Sequence, residues 1–503
     1  MRTFLAALLV LTAGAGGARA QTLANGHFAS PYIVYDSNTS VANGWSHYRV
    51  SQSPQFKQSD FEQMPGGPGG QVSCQQIWAD WSAFDAGVYQ RVTGAAVGQT
   101  YRATGWFLSI YRHGDVSPPY QDGSIYQKIG IDPTGGTDPN SPAIVWSWDD
   151  PLDRRWREIT VDATAQAAAI TVFARTRNLY AQTNCLSFYD AFALRASNPV
   201  RVSGIKIRPQ STQATVTWTT DVPAASRVDY LVYRGPDKDY TTAADSELRT
   251  QHSVIITGLT ENTEYYCRII SSAPGMDDAV SGGHTFKTLS GQVFSSLREA
   301  RANPDGTRVL VRDLVVTSGS NQSSSYIFVQ QADRTCGIRV DKPLLVTIDI
   351  GEVIDVSGTL ATVGGERKLS SITFNRVSSG PGPAPLAMGN ACVGGSALDS
   401  HNPGVTDGVG GFNLGLLARV WGRITHVDAA NKFFYIDDGS GLEDGTAVGR
   451  KGVRVMWSQM TGVPASPTAG MYAVLVGMAS CFQSGGRTVP QILLRRASDM
   501  RKF

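Results

Sequence analysis

Between residues 78 and 156 the chain sets Trp78, Trp81, Trp106, Trp146, Trp148 and Trp156 among Tyr111, Tyr120 and many polar side chains. An indole offers an apolar face on which the C–H face of a sugar ring can stack, while neighbouring amides, carboxylates and guanidinium groups bind the hydroxyl rim. This is recognition chemistry and requires no bond to break. Strand parity sorts the rings. In YRATGWFLSI (101–110), Tyr101, Ala103 and Phe107 share one face and read as core, whereas Arg102, Thr104 and Trp106 share the other. In AIVWSW (143–148), Trp146 and Trp148 fall on one face and form a candidate platform, and ADW places Trp81 in a loop. The candidate ligand-binding residues are therefore Trp78, Trp81, Trp106, Trp146 and Trp148, with Arg112, Asp115 and Gln127 as polar partners.

Catalytic constellations are not found. The seven histidines are scattered without metal-ligand spacing, and neither a G-x-S-x-G elbow nor a phosphate-binding glycine loop occurs. Asp149 and Asp150 read as an exposed turn, and glycoside hydrolysis needs two carboxylates at a separation that only a fold can set. The expectation is a binding protein without catalytic residues.

The chain opens with Arg2, an apolar run over 4–11 and small residues ending Ala18-Arg19-Ala20, the pattern of a cleavable secretion signal over 1–20. No later run approaches the length of a membrane-spanning helix, so a secreted or extracellular protein is expected, attached to a cell surface non-covalently if at all. A formal charge of +2 is too balanced for a strongly basic nucleic-acid binder. Six cysteines are too sparse for a disulfide scaffold. Cys74 and Cys185 are the only two in the first segment, which predicts one bridge; Cys392 with Cys481 is the predicted second, and Cys267 is expected as a buried thiol.

At roughly 100 to 200 residues per domain, 503 residues suggest several domains. The 53 glycines, 24 prolines and many short Val, Ile, Thr and aromatic runs favour all-β architecture. Strand-like runs over 88–92, 101–110, 125–131, 159–161, 170–174 and 186–194 alternate with turns. With NGHF (25–28), Gly44-Trp45, VYQRV, GQTYRATGW, Trp156 and the terminal YDAFAL, residues 21–197 resemble the jelly-roll carbohydrate-binding modules. The resemblance implies sugar stacking. It also implies a structural calcium bound by a glutamate after the N-G-x-F motif and an aspartate in the last strand; Asp190 matches the latter, but Ala29 stands at the former.

Residues 199–289 resemble a fibronectin type III module, through VTWTTDVPAASRVDY and through Leu259, Thr263 and Tyr265 in the pattern of a tyrosine corner. Its expected role is a spacer. An internal repeat follows: YIFVQQ, GIRV (337–340) and GEVIDVSG (351–358) recur as FFYIDDGSG, GVRV (452–455) and GMYAVLVG (470–477). The two copies, 291–377 and 408–503, resemble OB-folds, and 378–407 reads as a linker or long ordered loop. OB-folds can stack bases on strand aromatics, here Tyr326, Phe328, Phe433 and Tyr435, beside Arg339 and Arg454. Asp437 and Asp438 oppose phosphate, so nucleic acid is not the expected partner.

The fold class is thus all-β and multidomain: a jelly-roll β-sandwich, a fibronectin type III sandwich and two small OB-like β-barrels, resembling exported modular bacterial proteins. The expected partner is an extracellular polysaccharide or cell-surface glycan. A structural or adhesive role through surface proteins, and single-stranded nucleic-acid binding by the barrels, are the alternatives.

Overall fold

Runs in which every second side chain is apolar bury one face of a strand and wet the other, so they stack into sandwiches or close into barrels. The computed structural model describes residues 22–503 except 60–72, 113–121, 236–238, 344, 448–449 and 458–466. The expected secretion signal and Asp115 lie outside the described residues. No described helix is long and apolar enough to cross a membrane. Strands dominate throughout, and the only α-helix among the described residues is Leu297–Arg301.

The first module opens with β1 (Tyr32–Asp36), β2 (Thr39–Ala42), β3 (Ser46–Ser51), β4 (Gln55–Ser59), β5 (Cys74–Ala79) and β6 (Phe84–Thr93). It continues with β7 (Thr100–Ile110), β8 (Ile125–Asp132), β9 (Val145–Trp146), β10 (Arg157–Thr164), β11 (Ala169–Asn178) and β12 (Cys185–Ala196). These form a seven-stranded sheet, β1-β2-β4-β5-β12-β7-β10, and a five-stranded sheet, β3-β6-β11-β8-β9. Between them lies a core that includes Phe28, Trp45, Tyr101, Phe107, Ile129, Val172 and Phe192. The NGHF motif serves this core. Phe28 packs 4.9 Å from the Trp45 ring, the Asn25 side chain holds the turn through Ala29, and a Cβ on Gly26 would sit 2.0 Å from the Phe192 carbonyl oxygen.

The fibronectin-like module comprises β13 (Val202–Pro209), β14 (Gln213–Val232), β15 (Thr241–Thr257), β16 (Glu264–Ser272) and β17 (Ala279–Lys287). The order is β13-β14-β16-β17, with β15 on β14. Trp218 is buried; its indole N–H donates to Ser271 Oγ at 2.8 Å and its ring stacks on His252.

Two barrels follow. The first joins β18 (Gln292–Phe294), β19 (Arg308–Ser318), β20 (Tyr326–Gln330), β21 (Gly337–Asp341), β22 (Glu352–Val363) and β23 (Glu366–Ser379), closed by β19 on β22. The second joins β24 (Leu386–Ala387), β25 (Leu417–Asp428), β26 (Phe433–Asp437), β27 (Val453–Met456), β28 (Tyr472–Ser484), β29 (Arg487–Leu494) and β30 (Met500–Lys502), closed by β25 on β28. The repeated G-x-R-V segments occupy the same place in each: β21 pairs parallel with β23, and β27 with β29. The 378–407 segment is an ordered loop in its middle. Asn402 is buried, accepting from Arg301 Nε at 3.0 Å and donating to the Arg301 carbonyl at 3.0 Å.

The chain divides into two compact units, residues 1–206, 216–255 and 264–286, and residues 207–215, 256–263 and 287–503. Part of the fibronectin-like module therefore belongs with the barrels. Arg208, within that part, grips Asp355 with two hydrogen bonds of 2.8 and 2.9 Å and reaches Asp313 at 2.8 Å.

The predicted disulfides do not form. Cys185 carries a free thiol, as do Cys392 and Cys481. Cys185 pairs across the sheet with Ala79, whereas Cys74 lies at the opposite end of β5, opposite Ser59. At about 3.3 Å per residue the two are too far apart along the strand to be bridged. Cys392 sits beside Gly410, while Cys481 packs on Val405 and Leu414. Cys267 is a buried free thiol, as expected, and burial pushes it up to about 12.

Candidate functional site

The predicted parity of β7 holds: Tyr101, Ala103 and Phe107 are in the core. On its outer face the cross-strand register sets Trp106 opposite both Asp190 and Glu158, and Leu108 opposite Phe188. Trp78 and Trp156 lie half-buried against Cys74, Leu108, Ile110, Leu186 and Phe188. Lys57 Nζ caps the Trp78 ring at 5.2 Å. Trp78 is thus part of an apolar patch on the outside of the seven-stranded sheet, and Trp106 stands beside that patch among polar neighbours.

The Trp146–Trp148 platform does not form. Trp146 lies on the outer face of the five-stranded sheet, over Gly130, where a Cβ would come within 2.6 Å of its ring. It joins Phe173, Tyr89 and Tyr48, with Lys128 and Arg175 over the indole at 5.0 and 5.7 Å. Trp148 instead donates its N–H to Asp150 at 3.3 Å and is met by Gly282 and Gly283 of the fibronectin-like module. The reason is the length of β9. It ends at Trp146, so alternation does not carry through to Trp148.

Gln127 is also a correction. It is fully buried, donating to the Leu108 carbonyl and Ser187 Oγ and accepting from Arg157. Arg157 in turn meets buried Asp150 at 2.5 Å, and Asp150 receives the Tyr266 hydroxyl at 3.2 Å. The acidic pair read as an exposed turn is therefore half structural. Asp150 knits the two modules together, while Asp149 pairs with Lys128 at 3.1 Å.

At one end of the sandwich the rings are open. Trp81 is 65% exposed in the β5–β6 loop, and Tyr180 and Leu179, on the β11–β12 loop, are 53% and 40% exposed. The loops are fastened together. The backbone N–H of Trp81 donates to the Gln182 carbonyl at 2.9 Å, Asn178 Nδ2 to the carbonyls of Ser82 and Tyr180 at 3.0 Å each, and the backbone N–H of Asn184 to Asp80 Oδ1 at 3.1 Å. Trp81 holds a φ of +52, a region that residues other than glycine seldom occupy and that clusters at functional sites. Arg112 reaches the same end, next to Tyr111, whose ring lies 6.5 Å from that of Tyr180. Of the residues expected from the sequence, Trp81 and Arg112 come to this end, joined by Leu179 and Tyr180, which the sequence did not single out. The signal available was the NLYAQTN turn between two strands, with its amides around a single aromatic ring.

Asp190 is 1% exposed and accepts from Ala191 N–H at 2.6 Å; His27 Nδ1 stands 3.7 Å away, and among the described residues Oδ2 has no hydrogen-bond partner. Burial pushes its carboxyl above the usual carboxylate range. One carboxylate beside an imidazole does not fit calcium, which takes six to eight oxygen ligands. Among the described residues no group of three or more His, Cys, Asp or Glu side chains could hold a metal ion.

The barrel aromatics are covered. Tyr326 and Phe328 pack on Leu417 and Met478 of the second barrel, and Arg339 lies 4.1 Å over Tyr326 and 3.5 Å from Glu366. In the second barrel Phe433 and Tyr435 are buried, the Tyr435 hydroxyl bonds Asp444, and Arg454 donates to Gln491 at 2.6 Å.

No protein-family model and no curated protein matches the chain. Similar solved structures include the FN5 domain of Drosophila Lar, 18% identical, covering 19% of this chain and 99% of that one with a TM-score of 0.16. TmCBM61 in complex with β-1,4-galactotriose is 12% identical, covering 31% and 89%, TM-score 0.21. The CBM22-1–CBM22-2 tandem of Paenibacillus barcinonensis Xyn10C is 9% identical, covering 51% and 97%, TM-score 0.21. Likenesses this slight carry no argument about ligand; the strand orders given above define an all-β protein of sandwiches and barrels.

Proposed function

We propose that this is a secreted, non-catalytic binding protein that recognises extracellular or cell-surface polysaccharide through its N-terminal sandwich. One observation supports this above the others: Trp81 is held two-thirds exposed at a left-handed backbone position, beside exposed Tyr180, on two hydrogen-bonded loops. An indole left bare costs hydration free energy unless a ligand covers it, and loops already fastened together lose little entropy on binding. Asp80 and Gln182 of these loops, with Arg112 next to Tyr111 after β7, are the polar groups that would serve sugar hydroxyls. The test is a glycan array probed with the full chain and with Trp81→Ala. Binding by the parent that is reduced in a variant of unchanged melting temperature supports the reading; silence of the parent across plant, microbial and host glycans overturns it.

Adhesion through protein contact is the second reading. The edge strand β1 exposes Ile33, Val34 and Tyr35 together, and an unpaired apolar edge is a template for another strand. A Val34→Lys variant that loses surface attachment while keeping glycan binding would favour it.

A further inference from the structure

The fibronectin-like module was expected to be a spacer, yet it forms one wall of a cleft. This cleft, of about 430 Å³, runs between the outer face of the seven-stranded sheet and β16–β17. Thr104, Glu158 and Thr160 come from the jelly roll, and Ile270, Asp278 and Val280 from the fibronectin-like module. Trp106 stands beside it, since its cross-strand partner Glu158 and its same-face neighbour Thr104 both line the cleft.

The two walls are locked in place. Asp277 accepts both Arg195 NH groups at 2.7 and 2.9 Å, Ser197 Oγ at 2.8 Å and Asn198 N–H at 3.0 Å. Arg195 holds that carboxyl far below the usual carboxylate range, so the clamp persists into acid. The cleft is therefore preformed.

Its electrostatics exclude a simple anion site. Four arginines reach the cleft, but Arg102 is bound by Asp162, Arg195 by Asp277, and Arg227 and Arg268 by Asp229. Glu158 and Asp278 add further carboxylates, so phosphate or sulfate would meet no excess positive charge. What remains is a ring of mixed donors and acceptors around apolar Ile270, Met276 and Val280. A neutral saccharide needs such a surface: hydroxyls for the polar rim and C–H faces for the floor. From the cleft, its locked walls and its balanced charge, we infer that the jelly roll and the fibronectin-like module together form a second binding site, for a short neutral oligosaccharide segment. This site does not depend on Trp81.

The experiment is calorimetric titration of the full chain with a panel of neutral tetraoses (cello-, laminari-, xylo- and galacto-series) and a sulfated heparin tetrasaccharide. The variants are Trp81→Ala, the exposed pair Arg227→Ala/Asp278→Asn, and Thr160→Trp, which fills the cleft while leaving every ion pair in place. The expected result is two phases of neutral-sugar binding, of which Trp81→Ala removes one and both cleft variants weaken the other at least about tenfold. Binding that both folded cleft variants leave unchanged overturns the cleft site, and loss with Trp81→Ala then leaves the loop-end reading standing. Loss in the cleft variants alone upholds the cleft and sinks the loop-end reading. Preference for the sulfated sugar, or no binding to any neutral sugar, overturns the proposal.

Discussion

Aromatic rings beside arginines occur in two regions of this chain with opposite fates. At the loop end of the jelly roll, Trp81 and Tyr180 stand open near Arg112, whereas in the barrels Tyr326 and Phe328 sit under Arg339 against Leu417 and Met478. The residue types alone do not separate open rings from packed ones. What separates them is whether another part of the chain already occupies the ring face. In the first barrel the second barrel does so; in the second barrel, Arg450 lies over the rings of Phe433 and Tyr435. Trp148 belongs with the barrel rings, since Gly282 and Gly283 have taken its face.

The comparison can be broken most sharply through stability. Phe328→Ala should cost about 3 to 5 kcal/mol, the usual range for truncating a buried Phe, whereas Trp81→Ala should stay within about 0.5 kcal/mol. Denaturant melts of the two variants decide; a silent Phe328→Ala with reduced affinity for single-stranded DNA would reverse the assignment of the two regions. Next in size is binding. Trp81→Ala should weaken glycan affinity at the loop end by at least about 1.4 kcal/mol, or tenfold, with Tyr180→Ala losing less.

Smaller effects sharpen the account of the jelly roll. Because burial raises the Asp190 carboxyl, the folded chain holds that proton more tightly than the unfolded chain, whose ordinary value is 3.8. Stability at this residue therefore falls as pH rises from the ordinary value through the folded one. Asp190→Asn should melt a few degrees higher than the parent at neutral pH, and the gap should close in acid below the ordinary value. Smallest of all, millimolar calcium should leave the melting temperature of the parent unchanged. A rise that Asp190→Asn abolishes would show that carbonyl oxygens complete a calcium site after all.

Much of the fold was legible. The division of YRATGWFLSI into a core face and an outer face follows from side-chain alternation, a property of the strand itself. The barrel repeat was legible because equivalent glycines and the G-x-R-V segments recur in order. The site was less so. Trp146 and Trp148 were paired on the assumption that a strand continued where β9 stops. Gln127, polar on a core-facing parity, was read as exposed because its buried partners Arg157 and Asp150 lie far away in sequence. Cys74 and Cys185 are alone in the first segment, but register sets Cys185 of β12 opposite Ala79, at the far end of β5 from Cys74.

The sequence by itself determined the all-β class, the order of the modules, the parity of the long strands and the aromatic, amide-rich chemistry of the first module. These depend on local alternation and composition. Only the tertiary structure decided which rings are open, that Tyr180 joins Trp81, and that Glu158 and Asp278 face each other across a cleft. Each of those outcomes depends on which distant segment covers a given face, and no local periodicity encodes that.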